Sequence, residues 1–79
     1  MIKIDQYHIL IINEIKKRPT VKSKVLSRVS GHFWHGWVSP DFILHSNNIK
    51  WSMEELIKAG IIEFIPKMPM KVLKEVKIG

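Results

Sequence analysis

Seventy-nine residues, 46% of them hydrophobic and 25% charged, suffice for one small folded domain and exclude a disordered chain, whose apolar content would be lower. Cysteine is absent, which excludes disulfide staples, thiolate zinc sites and cysteine nucleophiles. The formal charge of +6 attracts polyanions, and it sits at the two ends: residues 1–30 hold seven Lys/Arg against two acids, residues 31–65 two against four, and residues 66–79 four against one.

In chain order, Asp5 is placed to cap a helix running to about Arg18, before Pro19, with Lys16, Lys17 and Arg18 suited to the negative end of its dipole. Ile4, Tyr7, Ile11, Ile12 and Ile15 follow the spacing of a buried stripe. Ile9 and Leu10 fall outside it, so a neighbouring element or a second subunit is expected to cover them. Thr20 is the expected cap of a second helix over residues 21–29, with Val21, Val25 and Val29 inward, Leu26 beside them, and Gly31 as terminator.

Residues 31–38, with two glycines among histidine and aromatic side chains, read as a loop or irregular strand. Ser39-Pro40-Asp41 starts a short helix, about Pro40 to His45, and Ser46-Asn47-Asn48 is expected to break and restart the chain. From Asn48 the pattern is helical again. Ile49, Ser52, Met53, Leu56 and Ile57 face inward, and Lys50, Trp51, Glu54, Glu55 and Lys58 outward. Gly60 suits a left-handed helix exit. The run 61–65, a turn at Pro66-Lys67-Met68-Pro69 and a second extended run over 70–78 predict a β-hairpin.

Helix, helix, insert, helix and hairpin, together with the stretch Ile49-Lys50-Trp51-Ser52-Met53-Glu54-Glu55-Leu56-Ile57-Lys58-Ala59-Gly60-Ile61-Ile62, resemble the winged helix-turn-helix superfamily of small repressors. The expected fold is mainly α with a small β-hairpin, a single winged-helix domain over residues 1–79 with residues 31–46 as an aromatic and histidine insertion and 61–78 as the wing. The resemblance covers about residues 47–78 closely and the rest loosely. One departure is the separation of Ser30 from Asn48, about seventeen residues where helix-turn-helix linkers have 3–4. Either residues 21–29 are the supporting helix and 31–46 are inserted, or residues 40–45 support and Ser46-Asn47-Asn48 is the turn. The first is preferred, because the short helix has little apolar surface.

The resemblance implies binding of double-stranded DNA in a sequence-specific manner by a homodimeric transcriptional regulator. Asn47, Asn48, Lys50, Trp51 and Glu54 would occupy the exposed start of a recognition helix. There Asn pairs with adenine, Glu accepts from cytosine, and Lys50 and the helix N-terminus hold phosphate. Lys67 and Lys71 at the hairpin tip, and Lys22, Lys24 and Arg28 on the opposite edge, would contact the DNA backbone. Trp51 is equally suited to capping the core or to a dimer contact.

The alternative is a protein-interaction module on the same fold, docking on a transcription or replication component through the aromatic 33–42 segment. Phe33, Trp34, Trp37 and Phe42 lie in that segment and serve as well as a small core pinning the insertion. Ile9, Leu10, Trp34 and Trp37 form the candidate dimer or partner surface. His32, His35 and His45 near Asp41 lack the i, i+4 spacing of a helical metal site, so no metal and no cofactor is expected. No phosphate loop follows Gly31 or Gly36, and no acid–base pair stands out, so no enzymatic activity is expected. No apolar run approaches the roughly 20 residues of a membrane span, and a cytoplasmic protein, cellular or viral, is expected.

Overall fold

The computed structural model describes residues 3–34 and 40–75. The fold is mainly helical, α1 (Gln6–Lys17), α2 (Lys22–Gly31) and α3 (Pro40–Lys58), followed by a small antiparallel hairpin of β1 (Ile62–Glu63) and β2 (Lys71–Val72). Ile62 pairs with Val72 and Glu63 with Lys71. All three helices pack on one another, and the hairpin closes over α1 and the end of α3.

α1 starts as its sequence dictates. Asp5 Oδ1 accepts from the N–H groups of Tyr7 (2.9 Å) and His8 (3.1 Å), and His8 Nδ1 accepts from the Asp5 N–H at 3.0 Å. Histidine thus fills the place that Glu or Gln takes in the usual reciprocal cap. The inner stripe is buried at Ile11, Ile12 and Ile15. It meets Val25 and Val29 of α2, Ile49, Met53 and Leu56 of α3, and Ile62 and Met70 of the hairpin region. Leu10 packs half-buried against this core, so the fold itself covers part of the excess apolar arc on α1; Ile9 is also half-buried.

α2 differs from expectation at its start. Val21, in extended conformation, precedes the first turn, and no side chain caps it. Thr20 serves the hairpin instead: its carbonyl accepts from the Met70 N–H at 2.9 Å. Over the described residues the ladder is shorter than the expected runs, and at its open end the Ile61 N–H is committed to the Leu56 carbonyl rather than to the returning strand. The Met70 N–H is committed to the α1–α2 connection, while the N–H groups of Leu73 and Lys74 both turn to the Ile61 carbonyl, at 2.7 and 3.4 Å. Residues 76–78 lie outside the described residues.

α3 is the larger correction. Ser46-Asn47-Asn48 neither breaks nor restarts the chain, and one 19-residue helix runs through it. Ser and Asn favour caps in isolation, but packing overrides that preference here. The His45 ring stacks on Phe33 with centroids 4.1 Å apart, its Nδ1 meets the Tyr7 hydroxyl at 2.8 Å, and Ile49 and Ser52 are buried one turn on. Residues 40–46, expected in the 31–46 segment, belong to this helix, and the register with a turn at Ser46–Asn48 is excluded; residues 35–39 lie outside the described residues.

The exit from α3 follows the glycine signal. Gly60 has φ +73°, the Ile61 N–H donates to the Leu56 carbonyl at 3.0 Å, and the Gly60 N–H donates to Ile57 at 3.1 Å. These are the two bonds of a Schellman termination, and Ile61 packs back on the core. The hairpin turn has Pro66 in its first central position and Lys67, at φ +66°, in its second, closed by the Met68 N–H on the Ile65 carbonyl at 3.0 Å. That is type II geometry, which favours glycine where Lys67 stands. Lys67→Gly is expected to raise stability by roughly 0.5–1 kcal/mol in urea unfolding, relief of the left-handed strain outweighing the added freedom of the unfolded chain. A loss of stability would show that the Lys67 side chain holds the turn.

Candidate nucleic-acid interface

The first turn of α2 and the hairpin turn frame an open cleft, lined by Val21, Lys22, Ser23 and Leu26 on one side and Phe64, Pro66 and Lys67 on the other. Its floor is apolar and its rim carries two lysines. The uncapped α2 turn adds first-turn N–H groups and the positive end of a helix dipole, which suits an anion. Ser23 and Phe64 were not among the sequence candidates. No local sequence signal marks them, because Phe64 reaches Lys22 only through the packing of the hairpin beside α2.

Lys22 is already engaged. Its Nζ lies 2.6 Å from Glu54 Oε1 on α3 and 4.8 Å from the Phe64 ring centroid. Two sequence candidates are thus joined to each other, and Glu54, an expected acceptor for cytosine, instead holds a lysine of the same surface. Lys24 and Lys67 are exposed, as is Lys50, one turn before Glu54 on α3. Arg28 turns the other way: Nε lies 4.0 Å from Glu14 Oε1, and NH1 donates to the Arg18 carbonyl at 3.5 Å. Glu14 is buried on α1 and also binds Arg18 at 2.9 Å, so Arg28 ties α2 to α1. Lys71 is not at the hairpin tip. It borders a second groove with Lys16, Pro19, Pro69 and Glu75, where Glu75 is bound by Lys16 at 3.2 Å.

The expected recognition helix is also rearranged. Because α3 begins at Pro40, Asn47 and Asn48 sit in mid-helix, two turns from the helix start. Asn48 is half-buried, with Nδ2 at 3.5 Å from the Tyr7 hydroxyl. Asn47, Lys50 and Trp51 remain outward, Trp51 at 63% exposure.

The described aromatic side chains of this segment take part in two sets of ring contacts. Besides the Phe33–His45 stack, Tyr7 packs against Phe33 and His45 (5.9 Å each), and Trp34 meets Phe42 edge-on at 5.2 Å. These contacts pin the start of the 32–39 connection to α1 and α3. Trp37 and His35 lie outside the described residues. Among the described residues, no three His, Asp or Glu side chains gather so as to hold a metal ion, and no helix is long and apolar enough to cross a membrane.

His8 escaped the sequence reading altogether. It is buried, and its Nε2 points toward Glu55 Oε1 at 3.3 Å without hydrogen-bond geometry.

Comparison with protein-family models, with curated proteins and with solved structures finds no match for this chain.

Proposed function

We propose that the chain is a small winged-helix protein that binds double-stranded DNA, chiefly through the phosphate backbone, in a role suited to transcriptional regulation. The observation that carries this reading is the cleft where Lys22 and Ser23 of the uncapped α2 turn meet Lys67 of the hairpin, with two further exposed lysines, Lys24 on α2 and Lys50 one turn before Glu54 on α3. Phosphate contacts from lysines and helix N-termini supply most non-specific duplex affinity. The Thr20–Met70 bond supports the winged-helix assignment, since it ties the α1–α2 connection to the returning strand of the hairpin.

Duplex affinity measured across a salt series tests this. With Lys24, Lys50 and Lys67 each on a phosphate and Lys22 held by Glu54, log affinity should fall against log salt with a slope of about −2.7. Binding that is absent at low salt, or insensitive to salt, would overturn the reading.

A second reading, a protein-interaction module, is favoured by one observation. The outward side chains of α3 include Lys50 and Lys58 against Asp41, Glu54 and Glu55, all exposed, a net charge of −1 (two minus three). Among them stand exposed Ile43, Leu44 and Trp51, with Trp34 exposed nearby in sequence. A duplex-reading face is normally more basic than this.

A further inference from the structure

We propose that this outward face of α3 packs against α3 of a second copy of the chain, antiparallel, about a two-fold axis at Asn47. Ile43, Asn47 and Trp51 are spaced four residues apart along one continuous helix, so they share a face. Ile43, Leu44 and Trp51 are 51%, 55% and 63% exposed, the most open apolar group on any helix among the described residues.

The spacing is self-complementary. In an antiparallel pair centred on Asn47, residues equidistant from it meet across the interface. Ile43 of one copy then lies level with Trp51 of the other, Leu44 shares an edge of the seam with that Trp51, and Ile43 shares the opposite edge with the methylene stem of Lys50, whose ammonium reaches solvent. At the axis each Asn47 amide meets its own copy, donor to acceptor in both directions. A polar Asn in an apolar helix seam penalises other registers, because a shift leaves the amide unpaired. Two-fold symmetry is the usual closed arrangement for such a patch.

The area is adequate for a weak dimer. With a tryptophan at about 250 Å², the three apolar side chains offer roughly 350 Å² per copy. A standard interface takes about 800 Å² per partner, some 65% of it apolar in homodimers. Stems of Lys50 and Lys58 and the Pro40 ring, all exposed, extend the patch toward that size. This surface differs from Ile9, Leu10 and Trp34, two of which the fold half covers.

The chain has no cysteine, so a single introduced thiol reports the axis directly. Asn47→Cys under mild oxidation by diamide should give a disulfide-linked dimer, since only residues near a two-fold axis bring their Cα atoms within the roughly 4.4–6.8 Å that a disulfide spans. Lys58→Cys, equally exposed but eleven residues away, should cross-link at least tenfold more slowly. Sedimentation equilibrium of the wild type should show a monomer–dimer equilibrium, and Trp51→Glu should raise the dissociation constant at least tenfold with helical circular dichroism unchanged. A wild type monomeric at several hundred micromolar would overturn the proposal. So would a dimer in which Asn47→Cys cross-links no faster than Lys58→Cys, which would move the contact to another face, such as exposed Phe64, Ile65 and Met68 of the hairpin, or to a different protein. These measurements need no DNA, so failure of duplex binding leaves the pairing standing, and the reverse.

Discussion

Leu56→Ala is expected to cost about 3 kcal/mol and to leave much of the chain unfolded near body temperature. Leu56 is 0% exposed and belongs to the cluster that joins α1, α2, α3 and the hairpin. Its removal leaves a cavity between four elements, none of which can move in without uncovering another. Leucine truncations at such sites cost 2–5 kcal/mol, with the larger values where collapse is prevented. A domain of this length has a total stability of about 4 to 12 kcal/mol. The same substitution also trims the core against which Ile61 packs at the helix exit, while leaving the backbone bond from the Ile61 N–H to the residue 56 carbonyl in place. Urea unfolding followed by circular dichroism measures the effect. A loss below 1 kcal/mol would mean that the α3–hairpin junction is not the centre of the fold.

The inward faces of all three helices were legible because apolar periodicity is a local property: Ile11, Ile12, Ile15, Val25, Val29, Ile49, Met53 and Leu56 lie where the spacing puts them. Gly60 was legible because few residues tolerate positive φ. The continuity of α3 was not. Its decisive contacts, His45 with Phe33 and Tyr7, join residues 12 and 38 positions apart in the chain, and no window around Ser46-Asn47-Asn48 contains them. Thr20 was misassigned for a similar reason, since Met70, its actual partner, is fifty residues away.

The candidate site was legible as a set of residue types and largely illegible as an arrangement. Lysines at 22, 24, 50 and 67 were identifiable, but the sequence does not tell which acids neutralise them. Glu14 takes Arg18 and Arg28, Glu54 takes Lys22, and Glu75 takes Lys16. The net charge overstates the positive field available to a ligand, and the exposed lysines at the cleft rim decide it.

That distinction makes the duplex experiment a test of sign as well as size. Lys24→Gln combined with Lys67→Gln is expected to lower the salt slope by about 1.8, one phosphate contact for each lysine. Glu54→Gln is expected to do the reverse and raise duplex affinity. It removes a negative charge 2.6 Å from Lys22 Nζ, releasing the ammonium from its ion pair toward a phosphate while the Phe64 ring still supports it. An exposed pair of this kind contributes about 0–1 kcal/mol, so the fold should survive and unfolding midpoints should barely move. Were Glu54 instead to accept a hydrogen bond from cytosine, the same variant would bind cytosine-containing sites more weakly and other sites unchanged. Anisotropy titrations with two duplexes of different sequence distinguish the outcomes. A uniform gain fits backbone binding at the cleft, and a selective loss on one duplex restores Glu54 to base reading.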